Sequence, residues 1–189
     1  MRCFVAVDLA GEVRAAVAAV QERLRTAVPT ADVRWTDVAG FHVTLRFLGQ
    51  VAEGRLPEIR AALAAATRGR PPLVLAAGGL GAFPGLRRPR VVWAGVTAEA
   101  AALTALAGAV DGGLEGLGLG REARPFHGHV TLGRVRSARG AGALGAALER
   151  LSGAELGAWT AAEVVLYRSH LGPAGARYEP VARFPLADR

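Results

Sequence analysis

His42-Val43-Thr44-Leu45 returns as His129-Val130-Thr131-Leu132, one copy in each half of the 189-residue chain. Side chains alternate faces along an extended strand, so the His and Thr of each copy project together while the Val and Leu point into a core. A lone strand His beside a Thr is ordinary packing. Two copies with matching apolar partners predict two similar strands that carry two imidazoles toward one cleft.

Working outward from the motifs, the chain alternates strands and helices. Arg2 to Asp8 reads as a strand, and Glu12 to Ala27 as an amphipathic helix stopped by Pro29. Residues near Val33 to Thr36 lead into the strand His42 to Leu48. Glu53 to Thr67 reads as a helix, broken by Pro71 and Pro72 before a strand at Leu73 to Ala77. The stretch Gly78 to Pro84 reads as a loop, Arg90 to Val96 as a strand and Ala98 to Gly112 as a helix. A glycine-rich loop to Gly120 precedes the second motif strand, His129 to Val135. Ala141 to Leu151 reads as a helix, and Ala162 to Leu171 and Tyr178 to Phe184 as strands joined through a Gly172-Pro173 turn. Each half thus offers a motif strand, a helix after it and further strands. The expected class is α+β and bilobal: two similar antiparallel-rich lobes with outer helices about a pseudo-twofold axis, and the cleft between them. No linker separates the halves, so residues 1–189 are expected to form one bilobal domain. The glycine runs lack the strand-to-helix context of a dinucleotide fingerprint.

Composition narrows the chemistry. The chain has no lysine and no asparagine, and every positive side chain among its 23 Lys and Arg is an arginine. Lysyl-adenylate, lysine Schiff-base and phosphate-loop lysine chemistry are therefore excluded. The net charge of +7 and pI near 11.2 suit a polyanionic partner, although an arginine-, alanine- and glycine-rich composition also looks like GC-rich coding bias. Arginine's planar fork can grip two phosphate oxygens at once. Cys3, the single cysteine, lies in an apolar run and reads as a buried, inert thiol. No signal-peptide core and no membrane-length apolar stretch is present, so a cytoplasmic protein without membrane partners is expected.

The paired motifs, the opening Arg2-Cys3-Phe4-Val5-Ala6-Val7-Asp8-Leu9, the segments Gly81-Ala82-Phe83-Pro84 and Arg88 to Val96, and the ending Leu166-Tyr167-Arg168-Ser169 through Phe184-Pro185-Leu186 resemble the two-histidine phosphoesterase superfamily. Within it the likeness is to the RNA 2′,3′-cyclic phosphodiesterases, also called 2′-5′ RNA ligases, and it covers almost the whole chain. The resemblance implies hydrolysis of RNA or nucleoside 2′,3′-cyclic phosphates to 2′-phosphomonoesters, with His42 as proton donor and His129 as proton acceptor. With a 5′-hydroxyl in place of water, the same pair would form a 2′-5′ linkage without ATP. Residues alone support the chemistry, since two imidazoles with pKa values near 6.5 can be one charged and one neutral, but they leave donor and acceptor undistinguished.

Thr44 and Thr131, on the same faces as the histidines, are candidates to steady phosphate oxygens. Arg46 joins that face by alternation and is a candidate phosphate ligand. Arg134 matches an arginine of the resembling family, but alternation turns it away from His129 unless a bulge intervenes. Phe126 and Tyr167 are candidates for stacking on a base, with core packing as the ordinary alternative. Trp35, Trp93 and Trp159 are assigned to packing. No cofactor is expected, and a monomer acting on cyclic-ended RNA or small cyclic nucleotides is the expected form. Two rivals remain: a non-catalytic RNA- or nucleotide-binding module, and a zinc hydrolase. The second arises because Phe126-His127-Gly128-His129 replaces a proline usual before the second motif, so His42, His127 and His129 could form a three-histidine metal site. His127 and His170 otherwise read as surface residues.

Overall fold

A computed structural model describes residues 1–172 and 175–187 of the chain. Its strands are β1 (Arg2–Asp8), β2 (Val33–Trp35), β3 (His42–Gln50), β4 (Leu73–Phe83), β5 (Val91–Ala98), β6 (His129–Val135), β7 (Glu155–Ala161), β8 (Glu163–Gly172) and β9 (Gly175–Pro185). Its helices are α1 (Gly11–Ala27), α2 (Leu56–Thr67), α3 (Ala100–Glu115) and α4 (Ala141–Arg150).

One antiparallel sheet runs in the order β7-β4-β5-β6-β3-β1-β8-β9, with β2 added beside β6. The motif strands β3 and β6 lie at its centre, so the cleft forms where two four-stranded halves meet. One half, β3 and β1 with β8 and β9, is drawn from both ends of the chain, whereas the other takes the consecutive strands β4 through β7. Helices α2 and α3 pack together against β9 and β3, while α1 and α4 cover β7 and β4.

Alternation explains the layering. Val5 and Val7 of β1, Val43 of β3 and Val130 of β6 point to the helix side and are fully buried there. α1 joins the same core cluster with Val13, Val17, Val20 and Leu24, the stripe expected of a helix lying on a core. The opposite sheet face carries the polar residues of the motifs.

Two segments differ from the sequence expectation. Gly78 to Phe83 continues β4 rather than forming a loop. Its glycines answer to crowding, because a Cβ at Gly81 would lie 2.3 Å from the Trp93 ring and one at Gly78 2.9 Å from the Ala154 carbonyl oxygen. The second is β7, which sequence reading passed over. It is rich in weak strand formers and is interrupted by Gly157 at φ +98. The Gly172-Pro173 turn falls partly outside the described residues. No described helix is long and apolar enough to cross a membrane.

Candidate active site

β3 and β6 touch through one antiparallel pair, Val43 with Val130. With those valines in the core, the histidines and threonines on either side project from the other face. The same register sets His42 against Thr131 and Thr44 against His129, a local twofold arrangement. The two imidazoles stand together on one sheet face, near enough for a charge on His129 to depress the pKa of His42.

Each ring is tethered in the same way. His42 Nδ1 lies 2.8 Å from the carbonyl oxygen of Gly40, and His129 Nδ1 lies 2.7 Å from that of His127. A carbonyl can only accept, so Nδ1 carries the hydrogen in both rings and Nε2 is the unprotonated nitrogen of each neutral ring. In the neutral form of His42, Nε2 accepts from the Thr44 hydroxyl at 3.0 Å. The segment that supplies the Gly40 carbonyl is held by Arg14 of α1, whose Nη1 donates to the Val38 and Phe41 carbonyls at 2.9 and 3.0 Å.

Aromatic packing surrounds both rings. Phe4 stacks on His42 at 4.7 Å, Tyr167 stacks behind Phe4 at 5.3 Å, and Tyr178 stands edge-on to His42 at 5.2 Å. Phe83 stands edge-on to His129 at 5.1 Å and to His127 at 5.4 Å, with Trp93 beside His127. Burial pushes the His42 pKa down to about 4, partly opposed by the Gly40 hydrogen bond and the Asp8 carboxylate. Burial also lowers His129, again opposed by its backbone hydrogen bond and reinforced by charge on His127 and Arg134.

β-bulges decide where the flanking residues go. On β3, Ala6 opposes Thr44 while the adjacent Val5 opposes Arg46, which leaves Leu45 as an extra residue. On β6, Trp93 opposes Thr131 and Val92 opposes Gly133, so Leu132 is extra at the equivalent place. The freed Leu132 carbonyl accepts from buried Gln21 Nε2 at 2.8 Å and from the Thr36 amide at 2.9 Å. Each bulge reverses the alternation beyond it.

Arg46 is accordingly corrected. It lies on the core face, not the cleft face, and is only 8% exposed. Its Nε sits 2.7 Å from Asp111 of α3, at ion-pair distance though out of line for a hydrogen bond. Nη1 approaches Glu122 at 3.7 Å, and Nη2 donates to the carbonyl of Gly120 at 3.0 Å. Arg46 is thus a tie between β3, α3 and the loop leading to His129. Arg134 goes the other way: its bulge returns it, exposed, to the His129 face, where its charge is felt by His129 and Tyr178.

The aromatic candidates divide as well. Phe126 is partly buried and packs against the core cluster. Tyr167 acts behind the site: its hydroxyl donates to the Asp8 carboxylate at 2.8 Å, and burial with that bond raises its pKa. Trp159 packs as expected and donates to the Asp8 carbonyl at 2.9 Å. Sequence reading missed Phe47. The β3 bulge places it opposite Phe4 on the cleft side, 51% exposed, with ring centroids 6.0 Å apart. Its signal was present in the aligned motifs, where Phe47 falls at the position of Arg134.

His127 contributes its backbone carbonyl to His129, while its ring stands exposed, 6.1 Å from that of His129. Among the described residues, no group of three or more His, Cys, Asp or Glu is arranged to hold a metal ion. His170 pairs with Glu179 at 2.7 Å on the β8–β9 hairpin, away from both motifs in sequence.

Comparison with known proteins agrees with this geometry. A family model described as LigT-like phosphoesterase matches residues 7–93 and again 95–178, so each half carries a copy. The RNA 2′,3′-cyclic phosphodiesterase of Methanothermobacter thermautotrophicus is 34% identical over 186 residues, covering 98% of this chain and 99% of that protein. Its namesake from Aeropyrum pernix is 37% identical over 159 residues, covering 83% of this chain and 89% of the relative. Among solved structures, TT0787 of Thermus thermophilus superposes with a TM-score of 0.83 at 31% identity, all of both chains being covered. LigT of E. coli complexed with 3′-AMP gives 0.77 at 26% identity, with 98% and 97% covered. The chain belongs to the LigT-like phosphoesterase family.

Proposed function

We propose that this chain opens 2′,3′-cyclic phosphates at RNA 3′ ends to leave 2′-phosphomonoesters, with His42 and His129 as its acid and base. Support for the activity comes from the relatives above, several of which bear the name RNA 2′,3′-cyclic phosphodiesterase. Support for the mechanism comes from one observation: both imidazoles share a sheet face and are tethered through Nδ1 to the carbonyl two residues earlier.

In this reading the cyclic phosphate lies over the Val43–Val130 pair. Neutral His129 takes a proton through Nε2 from the attacking water, while protonated His42 gives one to the departing 3′ oxygen. The P–O3′ bond breaks as the new P–O bond forms, and the 2′ oxygen keeps the phosphate. Thr44 and Thr131 hydroxyls donate to the non-bridging oxygens, whose charge grows in the transition state. Arg134 adds positive charge on the same face. Burial makes the His42 imidazolium a strong acid, which favours proton release to the leaving group, and the bound phosphate anion is what raises its protonated share. A 5′-hydroxyl in the water's place would give 2′-5′ joining by the same two proton transfers.

Phe47, exposed at the cleft rim beside Phe4, offers the base a face to stack on. The test is to incubate the protein with a ribonucleoside 2′,3′-cyclic phosphate in the presence of a chelator and identify the product. A 2′-monoester formed at an undiminished rate supports the proposal. A 3′-monoester, abolition by the chelator, or tight binding without turnover contradicts it; abolition would restore the zinc reading.

A further inference from the structure

Arg34 of β2 and Arg134 of β6 are direct partners in antiparallel register. Residues paired in this way project from the same face with their Cβ atoms roughly 5 Å apart, and like charges set directly opposite destabilise a sheet. Both side chains are exposed, and neither forms an ion pair with any described residue. The carboxylates that flank β2 are otherwise engaged. Asp32 is held by Arg136 at 2.9 Å, and Asp37 accepts from the Ala39 amide at 2.8 Å.

The pair also has a definite place relative to the cleft. The β6 bulge sets Arg134 on the His129 face, exposed, and its charge is felt by both His129 and Tyr178. The Arg34 guanidinium reaches across to the start of β9, where a Cβ on Gly175 would lie 3.6 Å from its Nη2. Tyr178, further along β9 from Gly175, stands edge-on to His42. Two arginines paired in register on one face, without an ion-pair partner among the described residues, are suited to share an anion.

We infer that Arg34, together with Arg134, binds the next phosphodiester of an oligoribonucleotide whose terminal cyclic phosphate lies between the histidines. The inference rests on the hydrolase reading above and extends it to the body of the substrate: the chain leaves the cleft between β2 and the β8–β9 hairpin. A mononucleotide has no such phosphate and makes no use of Arg34. Selection of cyclic-ended RNA over cyclic mononucleotides is the result.

The experiment compares parent, Arg34→Gln and Arg34→Lys with two ligands: a nucleoside 2′,3′-cyclic phosphate, and a 5′-labelled pentaribonucleotide with the same cyclic end. Fluorescence anisotropy measures oligonucleotide binding independently of turnover. Arg34→Gln is expected to weaken oligonucleotide binding roughly five- to tenfold and to make the salt dependence shallower by about 0.7 in log–log slope, the share of one phosphate contact to a single strand. Arg34→Lys should recover part of the loss, and mononucleotide turnover should stay within about twofold of parent. Relief of the like-charge pair should leave the melting temperature of Arg34→Gln unchanged or higher. Unaltered oligonucleotide binding, an equal loss with both ligands, or a fall in melting temperature would overturn the inference. Parent protein that binds the oligonucleotide without opening it would sink the hydrolase reading instead, while the arginine pair would still be judged by the binding comparison.

Discussion

Phe47 and Arg134 occupy the same place in the two motif strands, each returned to the histidine face by an extra residue, Leu45 or Leu132. The local twofold arrangement is therefore broken in chemistry, not in backbone: one side of the cleft offers an aromatic face and the other a guanidinium. Phe47→Ala should raise KM for a cyclic mononucleotide roughly tenfold, since a base–aromatic stack contributes about 1–3 kcal/mol. Its kcat should change less. Because half the ring is exposed, the melting temperature should hardly move. A fall in kcat alone would show that Phe47 positions His42 through Phe4.

Arg46→Ala should destabilise the fold by about 2–3 kcal/mol, because it strands the partly buried Asp111 carboxylate and releases the loop carbonyl of Gly120. Arg46→Lys keeps the charge but not the fork, so it should recover only part of the loss. Arg46→Ala combined with Asp111→Ala should cost less than the sum of the two single changes. Denaturant unfolding measures all three. An additive double variant, or a stable Arg46→Ala with reduced phosphate affinity, would return Arg46 to the cleft.

Stability should fall in acid through His42. In the folded protein its pKa is held near 4, whereas in the unfolded chain it is near the ordinary 6.5. Between those values the unfolded state binds the extra proton, so stability declines as pH drops from about 6.5 to about 4 and the contribution levels off below that. The loss is up to about 3 kcal/mol. The difference in unfolding free energy between parent and His42→Gln, followed over this range, isolates the contribution. A difference that does not vary with pH would contradict the depressed pKa.

Turnover should give a bell-shaped pH profile, because one imidazole must be charged and the other neutral. Its two limbs belong to the coupled pair. The alkaline limb of kcat should lie at higher pH than that of kcat/KM, since the bound phosphate anion favours protonated His42 in the complex. Coincident alkaline limbs would mean that the substrate charge does not reach His42.

Much of this fold was legible because period-two alternation survives in the motif strands: His42, Val43 and Thr44 face where their spacing says. The bulges were not legible. Leu45 and Leu132 are apolar and buried with or without an extra residue, so nothing within β3 itself signals that Arg46 and Phe47 exchange faces, and only the alignment of Phe47 with Arg134 hints at it. Arg134 carried its own clue, since it made sense in the cleft only with a bulge, and the bulge is there. Gly78 to Phe83 misled because glycine that makes room for Trp93 looks the same in sequence as glycine that turns a chain. Strand order was equally hidden: β8 and β9 join the half that contains β1 through pairings such as Phe4 with Tyr167, and that long-range contact leaves no local trace.

The most direct test of the paired-imidazole account is single-turnover cleavage of a cyclic-ended oligoribonucleotide by His42→Ala and His129→Ala at neutral pH, with binding measured in parallel. Each variant is expected to lose roughly a hundredfold or more in rate while keeping its affinity within a few fold, and the double variant should be little worse than either single one. Near-parental turnover by either single variant would contradict the claim that the two rings serve one phosphorus atom.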